Sequence, residues 1–284
     1  MKINVILITY NHAAYICQAL ESILMQKTEH EVEIIVADDC SPDNTVDIIR
    51  EYENKTSFRF TYLPKDKNIG YNKNYQQAFA ACTGDYVAIM EGDDYWVKIN
   101  HLQNHIDLLT EQSAASMSYN RHIRLFEDQN REEIFEWTDN KDYQIVTTEE
   151  LALGNRIGNL SCCMFRGDLI RNLDPKLFDM DIADWMLGMY MGQFGPLLYL
   201  KEVTSAYRIH DNGQWSKMSE EEQCKKVIEF INEYDKYFNY KFTIPFTKHK
   251  RRLEILLYGD KSLKGRLKSI TPEFIKNIYR KIIE

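Results

Sequence analysis

The chain lacks the marks of several large protein classes. Its six cysteines, Cys17, Cys40, Cys82, Cys162, Cys163 and Cys224, contain no CxxC pair and no metal-ligand spacing. They read as small buried or half-buried thiols of a reducing compartment, not as a disulfide framework. No stretch approaches the roughly 18 uninterrupted apolar residues of a membrane span. Met1-Lys2-Ile3-Asn4-Val5 runs directly into a strand-like segment with no long apolar region, so no secretory signal is expected. There is no internal repeat and no low-complexity stretch. No GxGxxG follows the first strand, which sets a Rossmann oxidoreductase aside. Positive charge is also short: 35 Lys and Arg face 43 Asp and Glu, a net charge of −8, so nucleic acid is not the expected partner.

What is present suits one large α/β domain with a tail. The chain has 284 residues and 44% apolar content, enough for a sizeable core. Charge is uneven, because residues 241–284 hold 12 basic and 4 acidic side chains against 23 and 39 in the rest. An acidic body with a basic end suggests an anionic surface as partner of the tail.

The first 120 residues alternate strand and helix patterns. Strands are expected at Ile3–Ile8, Val32–Ala37, Phe58–Leu63, Asp85–Met90 and Ala114–Tyr119. Asn11 can cap a helix whose apolar face is Ile16, Leu20, Ile23 and Leu24. Ser41-Pro42 reads as N-cap and first position of a second helix, which buries Val46, Ile49 and Tyr52. Helices are also expected at Asn72–Cys82 and at Lys98–Gln112, the latter facing inward with Ile99, Leu102, Ile106 and Leu109. Strands joined by crossover helices imply a mostly parallel sheet covered on both faces, with its strand C-termini on one edge.

Residues 121–147 are polar with weak periodicity and read as an excursion or lid. A short helix at Glu149–Leu153, a strand at Leu160–Phe165, a helix from Asp184, a strand at Leu197–Val203 and a helix at Ser219–Phe238 follow. Thr271-Pro272 would open a last helix with Phe274, Ile275, Ile278, Ile282 and Ile283 on one face and Lys276, Arg280 and Lys281 beside them. Such a helix fits a membrane surface, or packing on its own domain or a partner.

Chemistry concentrates where strands should end, the edge at which open α/β sheets bind ligands. Thr9-Tyr10-Asn11 brings hydroxyl and amide groups there, although a capping Asn would look the same. Asp38-Asp39 follows the second strand, and adjacent carboxylates repel unless a ligand donor or metal compensates them. Asn68-Ile69-Gly70, with Asn74 after it, places a glycine turn before a helix, which is also what a routine loop does. Glu91-Gly92-Asp93-Asp94 follows an apolar strand and offers hard oxygen ligands of the kind that hold Mg²⁺ or Mn²⁺ against diphosphate. Asp184, beside Trp185 and near Asp181, is a helix-start acid or a general base. Residues 207–216 gather Arg208, His210 and aromatic groups that would suit a diphosphate.

In this order the motifs resemble a family 2 glycosyltransferase with the GT-A fold. They are Ile8-Thr9-Tyr10-Asn11, Val36 to Thr45, Asn68-Ile69-Gly70, Thr83-Gly84-Asp85-Tyr86, Glu91 to Trp96, Ala183-Asp184-Trp185 and Tyr207-Arg208-Ile209-His210. The resemblance runs from Ile3 to about Ser216. It implies a GT-A domain over 1–216, with a nucleotide-binding half at 1–120 and an acceptor-binding half at 121–216, and a helical, basic extension at 217–284. It also implies an inverting transfer from a nucleotide sugar, a UDP-sugar favoured, to a glycan or lipid-linked saccharide in surface-polysaccharide synthesis in bacteria. The location implied is the cytoplasm, at the inner face of the cell membrane.

Roles follow from the same resemblance. Asp39, with Thr9, Tyr10, Asn11 and Asp38, would hold the nucleotide, and Asn68, Gly70, Asn74, Glu91 and Gly92 would complete the donor site. Asp93, Asp94 and His210 would hold Mn²⁺ or Mg²⁺, with Arg208 near the diphosphate. Asp184 would be the base, and Trp96, Asp181 and Trp185 would lie on the acceptor side. Glu91 stands where the first acid of a DXD motif is usual. Ala183 stands where an acid usually precedes the base, with Asp181 as the substitute. The rivals are a nucleotidyltransferase, although a Gly-rich basic loop is missing after strand one, and a non-catalytic sugar-nucleotide-binding subunit.

Overall fold

The computed structural model describes residues 1–259 other than 182, 212 and 214. The expected tail helix after Thr271 lies outside the described residues. The elements in chain order are β1 (Lys2–Thr9), α1 (Ile16–Leu24), β2 (Glu31–Asp38), α2 (Thr45–Glu53), β3 (Arg59–Tyr62), α3 (Tyr71–Ala81), β4 (Tyr86–Glu91) and β5 (Tyr95–Trp96). Then come α4 (His101–Glu111), β6 (Met117–Phe126), β7 (Arg131–Ile134), β8 (Tyr143–Val146), α5 (Thr148–Ala152), β9 (Cys163–Arg166), α6 (Gly167–Arg171), α7 (Asp184–Met191) and β10 (Leu197–Ile209). Helices α8 (Glu220–Tyr237) and α9 (Thr243–Tyr258) end the described chain. The chain divides into two compact units, Met1–Lys217 and the part from Met218 onward.

One mixed, mostly parallel sheet of order β3-β2-β1-β4-β9-β6-β10-β5 forms the first unit. Strand β1 is parallel to β2 and β4, and β2 to β3. Strand β9 runs antiparallel between β4 and β6, and β10 is parallel to β6. The apolar runs of β1 and β2 are buried on both faces, as a helix-covered parallel sheet requires. Register sets the site. Thr9 pairs with Asp38 and Ile8 with Glu91, so β1, β2 and β4 end flush on one edge.

Residues 121–147 are not an excursion. Strand β6 runs on to Phe126, β7 pairs with it, and β8 pairs with β10. All four residues of β7 are exposed, so no apolar alternation marks it as a strand. The helix starts also differ from expectation. Asn11 does not cap α1: it adopts φ 59°, and its N–H donates to Ser41 Oγ. Helix α2 begins at Thr45, not at Pro42, with Asp43 accepting from Thr45 and from the Ala13 N–H. The two loops brace each other instead of capping their own helices.

Ile99 lies before α4 and is 48% exposed. The inner face of α4 carries Leu102, Ile106 and Leu109 as expected and adds His101 and His105, bonded to Thr204, Ser118 and Asn120. Burial pushes His105 down to about 4, so this pair is a neutral core feature. Cys17 and Cys40 are exposed, against the expectation of six buried or half-buried thiols.

In the second unit a Ser219–Glu222 capping box opens α8. Phe238, Phe242 and Phe246 pack edge to face. Helix α9 leaves Ile244 and Leu256 exposed among Lys248, Arg251 and Arg252. Among the described residues no helix is long and apolar enough to cross a membrane.

Candidate active site

Three carboxylates within four residues cannot all ionise in a buried turn, and the fold separates their proton affinities. Glu91 accepts from Tyr75 Oη at 3.2 Å and Asn159 Nδ2 at 3.1 Å. Burial, then the charges of Asp94, Asp93 and Asp184, push its pKa well up. Asp94 is 1% exposed, and both its oxygens are engaged by Arg208 N–H, Asn159 Nδ2 and Ser161 Oγ. Burial and the neighbouring Asp93 raise it to about 7. Asp93 is the outlier. Burial raises it, but the hydrogen bond from His210 and the charges of His12 and His210 prevail and hold it below the usual value. Its Oδ2 lies 3.2 Å from His210 Nε2 and 3.7 Å from His12 Nε2, and the side chain is 21% exposed. The hydrogen bond to Asp93 in turn raises His210.

These contacts correct the expected metal set. Asp94 is enclosed by protein donors, which leaves Asp93 and His210. Among the described residues no group of three or more His, Cys, Asp or Glu is arranged as a metal cage. A hard anionic oxygen with an adjacent imidazole still fits Mg²⁺ or Mn²⁺, which normally take few protein ligands and complete their shell with phosphate and water. Gly92 is required by close approach: a Cβ there would stand 2.7 Å from Thr9 Oγ1 and 2.8 Å from His12 Nδ1.

Arg208 lies beside this turn but is not free to reach a diphosphate. Its Nε donates to the Asp93 carbonyl at 2.8 Å, Nη1 to Glu127 at 2.9 Å and Nη2 to Gln18 at 2.5 Å. The guanidinium packs over the Tyr15 and Tyr95 rings, and the residue is 7% exposed. It is a strut holding the Asp93–Asp94 turn.

At the end of β2 the expected carboxylate repulsion is relieved from within the protein. Asp38 accepts from the Ser41 N–H and hydroxyl. Asp39, 3% exposed, accepts from the Ile69 and Gly70 N–H groups at 2.9 Å each. Asn68 Oδ1 also accepts from Gly70, whose φ of +86° explains the glycine. Asn74 is 2% exposed and donates to the Ala37 carbonyl, so it belongs to the scaffold and not to the donor surface. Tyr10 is 46% exposed at the same edge, Asn11 is exposed beside it, and Thr9 Oγ1 is buried with no partner among the described residues. Lys65 Nζ donates to the Asp38 carbonyl.

Asp184 is the first residue of α7. Asn155 Nδ2 donates to its Oδ2 at 2.8 Å. Burial raises its pKa, opposed by that bond, by the Trp185 and Gly158 N–H groups and by His122. The segment 155–161 thus touches both acidic groups, through Asn155 at Asp184 and through Asn159 and Ser161 at Glu91 and Asp94. This segment and His12 are not marked in the sequence, because amides and a single imidazole carry no periodic signal.

The two tryptophans expected on the acceptor side are interior. Trp96 is 1% exposed, stacks on His101 and donates to the Ser161 carbonyl. Trp185 is 3% exposed and donates to the Leu151 carbonyl. Asp181 is exposed. Behind Asp184, His122 and Cys162 are buried together. Burial raises the Cys162 thiol, but its hydrogen bonds with Cys163 and His122 bring it down to about 6.

Known proteins share this architecture. The structure of residues 1–349 of TarS from Staphylococcus aureus in complex with UDP-GlcNAc matches with a TM-score of 0.62 at 19% identity, over 94% of this chain and 78% of that one. A mannosyltransferase from Pyrobaculum calidifontis in complex with GDP-Man and Mn²⁺ matches with a TM-score of 0.61 at 14% identity, over the same shares. At these identities the likeness establishes the GT-A fold. In sequence, the uncharacterized protein Rv1520 of Mycobacterium tuberculosis is 28% identical over 215 residues, 75% of this chain. The chain spans 60% of that relative's length. TarS, named a poly(ribitol-phosphate) beta-N-acetylglucosaminyltransferase, is 38% identical over 98 residues, 34% of this chain and 17% of its own. The family model described as glycosyl transferase family 2 matches residues 4–173, which takes in both acidic strand ends and the 155–161 segment, and this chain therefore belongs to glycosyl transferase family 2.

Proposed function

We propose that this protein is a metal-dependent, inverting glycosyltransferase that moves a sugar from a nucleotide-sugar donor, a UDP-sugar in preference, to a hydroxyl of a glycan or lipid-linked acceptor in surface-polysaccharide synthesis. The observation that carries the reading is the linkage of two acidic groups through one segment. Asp93 is anionic and partly exposed, Asp184 has a raised proton affinity, and residues 155–161 tie Asp184 to Glu91 and Asp94, the acids that flank Asp93 in its turn. UDP-GlcNAc in the TarS complex supports the preference for a UDP-sugar.

Tyr10, Asn11 and Asp38 would meet the base and ribose, while the buried Thr9 and Asp39 shape the pocket from beneath, Asp39 by holding Ile69 and Gly70. Asp93 and His210 would hold Mn²⁺ or Mg²⁺ together with diphosphate oxygens. Such an ion supplies positive charge against the negative charge that develops on the leaving diphosphate. Asp184 takes the proton of the acceptor hydroxyl, and Asn155 fixes the carboxylate for that transfer; a raised pKa suits the task. Attack on the anomeric carbon from the face opposite the leaving group inverts its configuration in one displacement, without a covalent enzyme intermediate. Asp181, exposed, would face the acceptor. Attachment to the inner, anionic membrane face is supported by the alternation of Ile244, Leu256 and basic side chains on α9.

The test is nucleotide release from UDP- and GDP-sugars with and without Mn²⁺, run beside donor binding. Metal-dependent release is expected from the wild type. Asp184→Asn should lose about 10²–10⁴-fold in turnover, the span of general-base catalysis, and still bind donor. Unchanged turnover removes Asp184 from the mechanism. Donor binding without turnover by the wild type favours a non-catalytic subunit, and pyrophosphate release from a nucleoside triphosphate favours a nucleotidyltransferase.

A further inference from the structure

We propose that His12 is a ligand for the donor's diphosphate, presenting an Nε2–H to a phosphate oxygen beside Asp93. The inference rests on the nucleotide-sugar reading and gives a role to a residue that reading leaves unused.

The backbone of His12 is fixed. Its N–H donates to Thr45 Oγ1 at 3.0 Å, and its carbonyl accepts from the Tyr15 and Ile16 N–H groups at 2.9 Å each. The ring is fixed as well, because Gly92 packs directly on it. A Cβ on Gly92 would lie 2.8 Å from His12 Nδ1 and 2.7 Å from Thr9 Oγ1. Nδ1 is buried with no hydrogen-bond partner among the described residues, as is Thr9 Oγ1. A proton on that enclosed nitrogen would be a buried donor without an acceptor, which is costly. The favoured tautomer therefore carries its proton on Nε2.

Nε2 is the edge that a ligand can reach. The His12 side chain is 22% exposed, and Nε2 stands 3.7 Å from Asp93 Oδ2, beyond hydrogen-bond distance. His210 differs, since its Nε2 is already engaged with the same oxygen at 3.2 Å. Two cations beside this edge are committed elsewhere: Arg208 to Asp93, Glu127 and Gln18, and Lys65 to the Asp38 carbonyl. A diphosphate approaching three carboxylates needs neutral or positive donors, and His12 is placed to be one.

The experiment is calorimetric binding of UDP and UMP (or GDP and GMP, if the wild type prefers guanine) in Mn²⁺ to wild type, His12→Ala, His12→Gln and Gly92→Ala. His12→Ala is expected to weaken the diphosphate about tenfold, the effect of one hydrogen bond to a charged group, and to leave the monophosphate unchanged. His12→Gln keeps an N–H and should recover most of the loss. Gly92→Ala, whose Cβ would displace Thr9 as well as the His12 ring, should weaken the diphosphate at least as much. An unchanged UDP-to-UMP ratio in His12→Ala, or equal loss of both ligands, overturns the inference while the donor reading stands. A wild type that binds no nucleoside diphosphate overturns the reading, and the inference with it.

Discussion

Asp38-Asp39 after β2 and Asp93-Asp94 after β4 are the same dipeptide at the same sheet edge, yet they are different devices. The first pair is neutralised by fixed donors: the Ser41 N–H and hydroxyl for Asp38, and two backbone N–H groups for Asp39. Those bonds pull the 39–44 and 68–70 loops onto the strand end. The second pair is neutralised by partition. Asp94 is enclosed and holds its proton to about 7, while Asp93 keeps its charge beside two imidazoles. A paired acid is therefore a brace where backbone N–H groups surround it, and a charge site where titratable side chains do.

The sharpest test of this contrast is to remove one acid from each pair. Asp93→Ala should abolish metal-stimulated nucleotide binding and cost about 10²–10³-fold in turnover, the scale of a lost charge-stabilising group, with little change in Tm. Asp39→Ala should do the reverse at the level of stability. It leaves the Ile69 N–H unpaired and the Gly70 N–H with Asn68 Oδ1 alone, at a cost of about 1–3 kcal/mol, which denaturant unfolding would register. If both variants lose stability alike, the distinction between brace and charge site fails.

A smaller effect separates Asp94 from its neighbour. Its folded pKa lies above the ordinary 3.8, so the native state binds the extra proton between about 4 and 7 and loses stability as pH rises through that window. Asp94→Asn does not titrate. The difference in Tm between variant and wild type should therefore move in the variant's favour from pH 4 to pH 8. A difference that stays constant with pH would show that Asp94 is ionised throughout. The smallest effect is expected at Cys40, which adopts φ 63° in the loop after β2. Cys40→Gly removes a left-handed penalty of about 1–2 kcal/mol and adds back part of it as chain entropy. Thermal unfolding should show a net gain below about 1 kcal/mol.

Much of the fold was legible in sequence. The apolar runs of β1, β2 and β4 and the punctuation around α3 and α8 place those elements within a residue or two, because neighbours in sequence carry those signals. Strand β7 was not legible, since its four residues are all exposed, nor was β8, whose one exposed residue is the apolar Ile145. Within the site, the acidic turns and Asp184 were found by position after a strand or at a helix start. Arg208, Asn74, Trp96 and Trp185 were misplaced because residue type indicates what a side chain can do and not which way it points. His12 and Asn155–Ser161 escaped notice because their partners lie 29 to 81 residues away in the chain.

By itself the sequence determined the main strand and helix signals, the acids at the strand ends and the motifs of the family, all carried by short runs of neighbouring residues. Only the tertiary structure decided which carboxylate is charged, which is enclosed and which imidazole keeps a free N–H. Those outcomes depend on burial and on donors brought in from distant segments, and a pKa or a tautomer is set by such surroundings and not by the residue that bears it.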